Sequence, residues 1–373
     1  MKGFHNINGI RVLLYHGVML TLLLLVLIIT GCRRELYLYA DQFKQVRLDV
    51  DWRDYQQPDP QGMTAWFFPE NYIHDSFRHT THEVRSTELY LGMGNYTGVV
   101  IDYSPEEMSH QKFIGMEKKE TAKVEVVPTS YQPESGDELF EPTLYHELLP
   151  IDSNTGLCTV MDQPQWMACD IVNDMNINTG KYAEYIPYDE RDEYQQTLEM
   201  QVFNAQPKSI IWKLRIYVYV KGIYYLSSVK GSIMGMADGN YLALGSHSNT
   251  PCLHELNDWE SKTMANELGI TSNEGYVAIT INTFGLMNRI YAEDDLVLNL
   301  RFLLRDRETV VTYHYNVGHF IDIFEDQLVA RIDLTKDRIE GLPDLPYAEP
   351  YNGAGFDGIV VPWEEGAEAD VTF

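Results

Sequence analysis

The chain has 373 residues, 28 Lys and Arg against 55 Asp and Glu, and a formal net charge of −27. A surface this acidic repels phosphate backbones and anionic headgroups, which excludes nucleic acid as a partner and leaves no basic patch to supply membrane affinity. At roughly 150 residues per domain the length allows two domains.

The first 34 residues hold no Asp or Glu, and Lys2 and Arg11 precede an apolar stretch from Val18 that ends Ile29-Thr30-Gly31-Cys32. A basic leader, an apolar core of about 12 residues and a small residue before the cut are the parts of a secretory signal. The last four residues resemble the bacterial lipobox. On that resemblance residues 1–31 are removed and Cys32 becomes a lipidated N-terminus, palmitate-type acyl chains tethering the protein to a bilayer through residues 32–44. Several acyl chains, at about 0.8 kcal/mol per buried methylene, hold a protein stably. The competing reading is an uncleaved anchor, since Val12 to Gly31 is uncharged and about 20 residues suffice to span. Tyr15, His16 and Gly17 dilute that stretch, and a spanning helix has no need of Gly-Cys at its exit.

Beyond the tether, Val46-Arg47-Leu48-Asp49-Val50-Asp51-Trp52 alternates apolar with charged residues, the period of a half-buried strand. Strands are expected next at Thr64 to Phe68, Glu88 to Leu91, Tyr96 to Tyr103, Ala122 to Val127, Thr143 to Leu149 and Leu157 to Met161. The acidic segment Pro187 to Gln196 reads as a link. After it, Ile210 to Lys221 is the cleanest alternating strand in the chain, followed by Ile223 to Ser227, Gly231 to Met234, Tyr276 to Phe284, Leu296 to Leu304, Val310 to Val317, Leu328 to Leu334 and Ile359 to Trp363. One window, Leu253 to Leu268, suggests a helix with Leu256, Trp259, Thr263 and Met264 on a shared face. The expected class is all-β with at most one or two short helices: antiparallel sandwich domains at 45–187 and 197–366.

Catalytic and metal-binding patterns are weak. The segment from His74 to Glu83 contains His79 and His82 but no H-E-x-x-H order, and reads as a solvated loop. Asp49, Asp51 and Asp54 lack the glycine and final glutamate of a calcium loop. Gly245-Ser246-His247-Ser248 has no orienting carboxylate beside it. Cys158, Cys169 and Cys252 allow one disulfide plus a free thiol, or three buried thiols. No enzyme activity, metal or cofactor is therefore expected. Tyr217, Tyr219, Tyr224 and Tyr225 are expected to line the outer face or rim of the second domain, suited to protein partners or sugars.

Taken together, the lipobox, the strand closing on Trp52, Leu91-Gly92-Met93-Gly94-Asn95-Tyr96, Val220 to Tyr225, Val229 to Ala237, Asn282 to Gly285 and the ending from Leu342 to Trp363 resemble a family of Bacteroidota lipoproteins of unassigned function. That family is related to fimbrillin and the Mfa-like fimbrial accessory proteins. The resemblance implies two transthyretin-like β-sandwich domains in tandem, an outer-membrane place, and pilin-like subunits as partners through strand pairing. In polymerising members an arginine-specific protease removes the first strand, and here Arg53 stands at the matching place. Such a cut would separate lipid from body, so an uncut anchor or accessory subunit is the expectation, with a glycan-binding lipoprotein beside a polysaccharide uptake system as the rival. Arg33 and Arg34 stand where surface-displayed relatives often carry an acidic run, leaving the periplasmic face open as well as the cell surface.

Overall fold

The computed structural model describes residues 43–55, 60–70, 75–103, 105–145, 149–177, 200–265, 271–288, 293–335 and 339–351. The signal, Cys32, the acidic link and the strand expected at Ile359 to Trp363 lie outside the described residues. Those described form a β-sandwich architecture of antiparallel and mixed sheets with short 3-10 turns and no α-helix. No helix among them is long and apolar enough to cross a membrane.

The first sandwich opposes a three-stranded sheet and a five-stranded one. In the smaller sheet β1 (Phe43–Val50) lies between β4 (Ser86–Gly92), antiparallel, and β9 (Gln201–Ala205), parallel. Its alternation is realised as expected: Val46, Leu48 and Val50 are buried while Arg47 and Asp49 lie on the other face. The larger sheet runs β10 (Lys208–Ser209), β8 (Ala168–Ile177), β5 (Gly94–Ile101), β2 (Met63–Pro69), β3 (Phe77–Thr81). Phe67, Val100, Met175 and Ile177 meet Val46, Leu48, Leu89 and Leu91 in the core between them.

The second sandwich opposes β16 (Glu260–Ala265), β17 (Thr271–Thr283), β11 (Trp212–Lys221), β21 (Val329–Leu334), β20 (Ile321–Phe324) to β15 (Pro251–Leu256), β12 (Leu226–Ala237), β18 (Val297–Leu304), β19 (Val310–Asn316). Strand β11 sits centrally, with Leu214, Ile216, Val218 and Val220 turned into the core. A fifth sheet joins the halves: β6 (Gln111–Ile114) and β7 (Lys123–Val126) from the first pair on to β13 (Gly239–Tyr241) and β14 (Ser246–His247) from the second. Gly239 makes this close approach, since a Cβ there would stand 2.1 Å from the Val124 carbonyl oxygen. Lys123, 6% exposed, ties the same seam by pairing with Glu125 at 2.9 Å and Asp238 at 2.8 Å. The apolar core is accordingly continuous, from Trp66, Phe68 and Val99 through Val124 and Val126 to Leu214 and Ile216.

Several expectations need correction. The window from Leu253 is not helical in its described part: β15 and β16 occupy it up to Ala265, with a turn at Asn257 to Trp259. Strand β15 is covered on both faces, Cys252 and Leu256 by the main core and Leu253 by Leu139, Phe140 and Tyr145, so its polar alternation is lost. The described parts of Thr143 to Leu149, and Leu157 to Met161, are not strands; a 3-10 turn at Pro142–Leu144 and single bridges stand there, in a strap that covers this outer face. Ile223–Tyr225 is likewise a 3-10 turn, entered through Gly222 with φ +74. Strands β9 and β10 pair within the first sandwich, so the chain leaves it near residue 210 rather than 197. The three described cysteines are buried free thiols.

Candidate functional site

The region that links the N-terminal arm to the body is built on β1. Its ladder runs from Phe43 to Asp49 against β4 and from Val46 to Val50 against β9, so the strand is bonded along both sides. At its end the Val50 amide donates to the Arg85 carbonyl at 2.8 Å and the Asp51 amide to the Ala205 carbonyl at 2.9 Å. Trp52 is buried and its indole N–H donates to the Val84 carbonyl at 2.6 Å.

Arg53 projects from the following turn with 70% of its side chain exposed. Its guanidinium chelates Asp51, Nε donating to Oδ2 at 2.6 Å, and this hydrogen bond holds the Asp51 carboxyl below the usual range. The next residues are also fastened. Asp54 accepts from Gln206 Nε2 at 2.8 Å, and Tyr55 is buried edge-on to Trp52 with ring centroids 5.5 Å apart. Residues 56–59 lie outside the described residues.

Under this turn lies Asp102, fully buried at the end of β5. Its Oδ1 accepts the Ala168 amide N–H at 3.0 Å, and the Tyr55 phenol faces the carboxyl. Burial, which penalises the charged form more than these bonds compensate, pushes its pKa up to about 7. Nothing in the local sequence Ile101-Asp102-Tyr103 distinguishes this aspartate from one on a solvated loop.

The four tyrosines expected on the outer face or rim of the second domain lie in two places. Tyr217 is half-buried under the Arg331 guanidinium, whose Cζ stands 5.0 Å from its ring centroid, and is edge-on to Tyr276 at 6.4 Å. Tyr219, one step along β11, is 7% exposed. Tyr224 and Tyr225 sit beyond the strand in the 3-10 turn, where Tyr225 meets Tyr347 at 5.3 Å. The histidines of the first half also go to separate partners, His79 to Thr87 at 3.1 Å and His82 to the Gln61 carbonyl at 3.1 Å, while His74 lies outside the described residues. Groups of three or more potential metal ligands are absent among the described residues.

A thiol and an imidazole do meet, Cys252 Sγ to His254 Nε2 at 3.2 Å. Both are buried, which lowers the His254 pKa to about 4 and raises that of the thiol. The pair is therefore neutral near pH 7 and closed to substrate, so it supplies no thiolate nucleophile.

Comparison with known proteins gives the lineage. The family model described as a domain of unknown function, DUF5119, matches residues 31–255. The chain belongs to the DUF5119 family. No curated protein matches it. An adhesin candidate from Bacteroides ovatus is similar in structure with a TM-score of 0.50 and 18% identity, covering 83% of this chain and 99% of that one. The fimbrial anchor protein Mfa2 from Porphyromonas gingivalis has a TM-score of 0.42 and 6% identity over 78% of this chain and 88% of its own. An adhesin candidate from Bacteroides thetaiotaomicron has 0.41 and 11%, over 75% and 82% respectively. The DUF5119 chain thus has the resemblance expected from its motifs, and it shares its fold with the first of these structures.

Proposed function

We propose that this DUF5119 protein is an outer-membrane lipoprotein, held by acyl chains on Cys32, that serves as an adhesion or fimbria-assembly accessory or anchor subunit. The observation that carries this reading is the seat of β1. The strand that directly follows the tether is an integral core strand, bonded on both sides and buried along one face. Ladder hydrogen bonds lie across the strand axis, so a pull from a lipidated N-terminus loads them together rather than one after another. That suits a protein that holds an assembly to a membrane. The fastening of Arg53 and Asp54 supports an uncut state, and the fold shared with an adhesin candidate supports the setting.

Partners would be pilin-like subunits joined by strand pairing, for which sheet-ending strands carrying exposed apolar side chains are suited: β3 with Phe77 and β20 with Ile323 and Phe324. Membrane fractionation of Cys32→Ala is expected to shift the protein from the outer-membrane pellet to the soluble fraction, and cross-linking on intact cells to join the wild type to pilin-like neighbours. Unchanged attachment of Cys32→Ala, or a mature N-terminus beginning after Arg53, would defeat the anchor reading.

A further inference from the structure

Where the two sandwiches and the joining sheet meet, the surface folds inward to a cleft of about 340 Å³. This lies at the lower end of the range of small-molecule sites, roughly 300–1,000 Å³, which favour domain junctions. No single half of the molecule makes it. Asp170 and Ile171 come from β8, Ser209 from β10, Trp212 from β11, Asn240 from β13 and His247 from β14.

Two of the polar side chains that line it have no hydrogen-bond partner among the described residues and reach the solvent in the cleft rather than being sealed from it. Asn240 is 5% exposed and its amide makes no bond there; Trp212 is 9% exposed and its indole N–H makes none. Polar groups open to a cleft can exchange water for the hydroxyls of a ligand. Gly285 lets the Trp212 and His247 rings pack closely on the backbone, since a Cβ there would stand 3.0 Å from Trp212 Nε1 and 2.8 Å from His247 Cε1. His247 gives its Nδ1 hydrogen to the Leu286 carbonyl at 2.8 Å and burial lowers its pKa, so Nε2 is an acceptor. Asp170 is engaged by backbone amides, Oδ1 by Ile171 at 2.8 Å and Oδ2 by Gln206 at 2.6 Å, and no Lys or Arg lines the cleft.

A floor of apolar side chains, donors at Asn240 and Trp212, acceptors at Asn240 and His247, and no cation together describe a receptor for an uncharged ligand with an apolar face and several hydroxyls. We infer that this junction cleft binds one neutral pyranose ring. The sugar's C–H face lies against the apolar lining while its hydroxyls pair with the Asn240 amide, the Trp212 N–H and His247 Nε2. The Asp170 carboxylate and the missing cation exclude uronates and sialic acids. The site stands apart from strand-mediated assembly, and either can fail without the other.

The test uses the full mature chain and saturation-transfer NMR with the methyl glycosides of glucose, galactose, mannose and N-acetylglucosamine, with glucuronate as the charged arm. At least one neutral glycoside is expected to give a saturable signal and glucuronate none. Trp212→Phe, which keeps a ring but loses the donor, and Asn240→Ala are each expected to weaken binding about five- to tenfold, the worth of one hydrogen bond. Melting temperature is measured alongside; should either variant fail to fold, Ser209→Phe, filling the cleft from its half-buried rim, is expected to abolish the signal. Absence of signal from every neutral glycoside at about 10 mM, or binding that survives these variants unchanged, overturns the proposal, as does tighter binding of glucuronate.

Discussion

Deletion of the chain through Arg53 is expected to unfold the first sandwich and expose the face of the joining sheet behind it. Strand β1 contributes Val46, Leu48 and Val50 to the core, each buried to 6% exposure or less. At about 1.5–3 kcal/mol per buried aliphatic side chain, these three alone are worth about 5–9 kcal/mol. That is comparable with the entire stability of a typical domain, about 5–15 kcal/mol. Deletion also strips the ladders of β4 and β9, leaving backbone donors and acceptors facing an empty apolar groove. Urea denaturation followed by circular dichroism should show the loss of the cooperative transition belonging to this half, and a synthetic peptide of residues 43–53 should restore it. A truncated protein with the wild-type midpoint would mean that the strand is dispensable.

A mere nick after Arg53 is different. The severed strand would still hold two ladders and its buried face, so far-ultraviolet circular dichroism should be unchanged until the peptide is displaced. The distinction matters for function, because only displacement opens a groove that another strand could enter.

The parts of this architecture legible in the sequence are those with one wet face. In β1 and β11 the alternation of Val46, Leu48, Val50 and of Leu214, Ile216, Val218 with charged residues stands plainly in the text, because one side of each strand faces water. Where both faces are covered, the code vanishes. Strand β2 is buried at six consecutive positions from Met63 to Phe68, and β12 is buried at seven from Gly231 to Ala237. Such runs identify a strand but not which residue points where. At β15, covered by the strap as well as by the core, the pattern imitates a helix. The strap itself, around Leu139, Phe140 and Tyr145, is rich in residues that suit strands yet uses them as plugs against Met234 and Val297.

The sites were still harder to read. Arg53 follows from its place after the first strand, but the tyrosines of β11 do not divide as alternation suggests, since the wet face of that sheet is already filled by Tyr276 and Arg331 packing on Tyr217. Asn240 and Asp102 carry no local signal at all. Each becomes distinctive only through partners distant in the chain, or through the lack of them, and that is a property of the assembled fold.

Asp102→Asn is expected to stabilise the protein in alkaline but not in acidic solution. The carboxyl has an ordinary value of 3.8 and is raised by burial to about 7 in the folded protein. A raised carboxyl pKa means that the folded state holds its proton more tightly than the unfolded chain. The folded state therefore keeps full stability below about pH 4, loses it progressively as pH rises towards 7, and above that carries a buried charge. Three pK units at 1.36 kcal/mol each set the loss at up to about 4 kcal/mol. The groups around the carboxyl cannot offset this: burial raises the pKa of the Tyr55 phenol and of the buried Cys169 thiol, so both are neutral near pH 7, and neither Tyr103 nor Asp170, the neighbour of Cys169, is a cation. Asparagine keeps the acceptor for the Ala168 amide and offers an N–H towards Tyr55, so it imitates the protonated acid at every pH. Chemical denaturation should give equal stabilities for wild type and variant near pH 4 and a gain of about 2–4 kcal/mol for the variant at pH 8. Since Tyr55 packs on Trp52 just past Arg53, trypsin cleavage at that arginine should quicken between pH 6 and pH 8 in the wild type by more than the enzyme's own pH response, and in Asp102→Asn by that response alone. Equal pH dependence of stability in the two proteins would show that Asp102 titrates as an ordinary surface carboxylate.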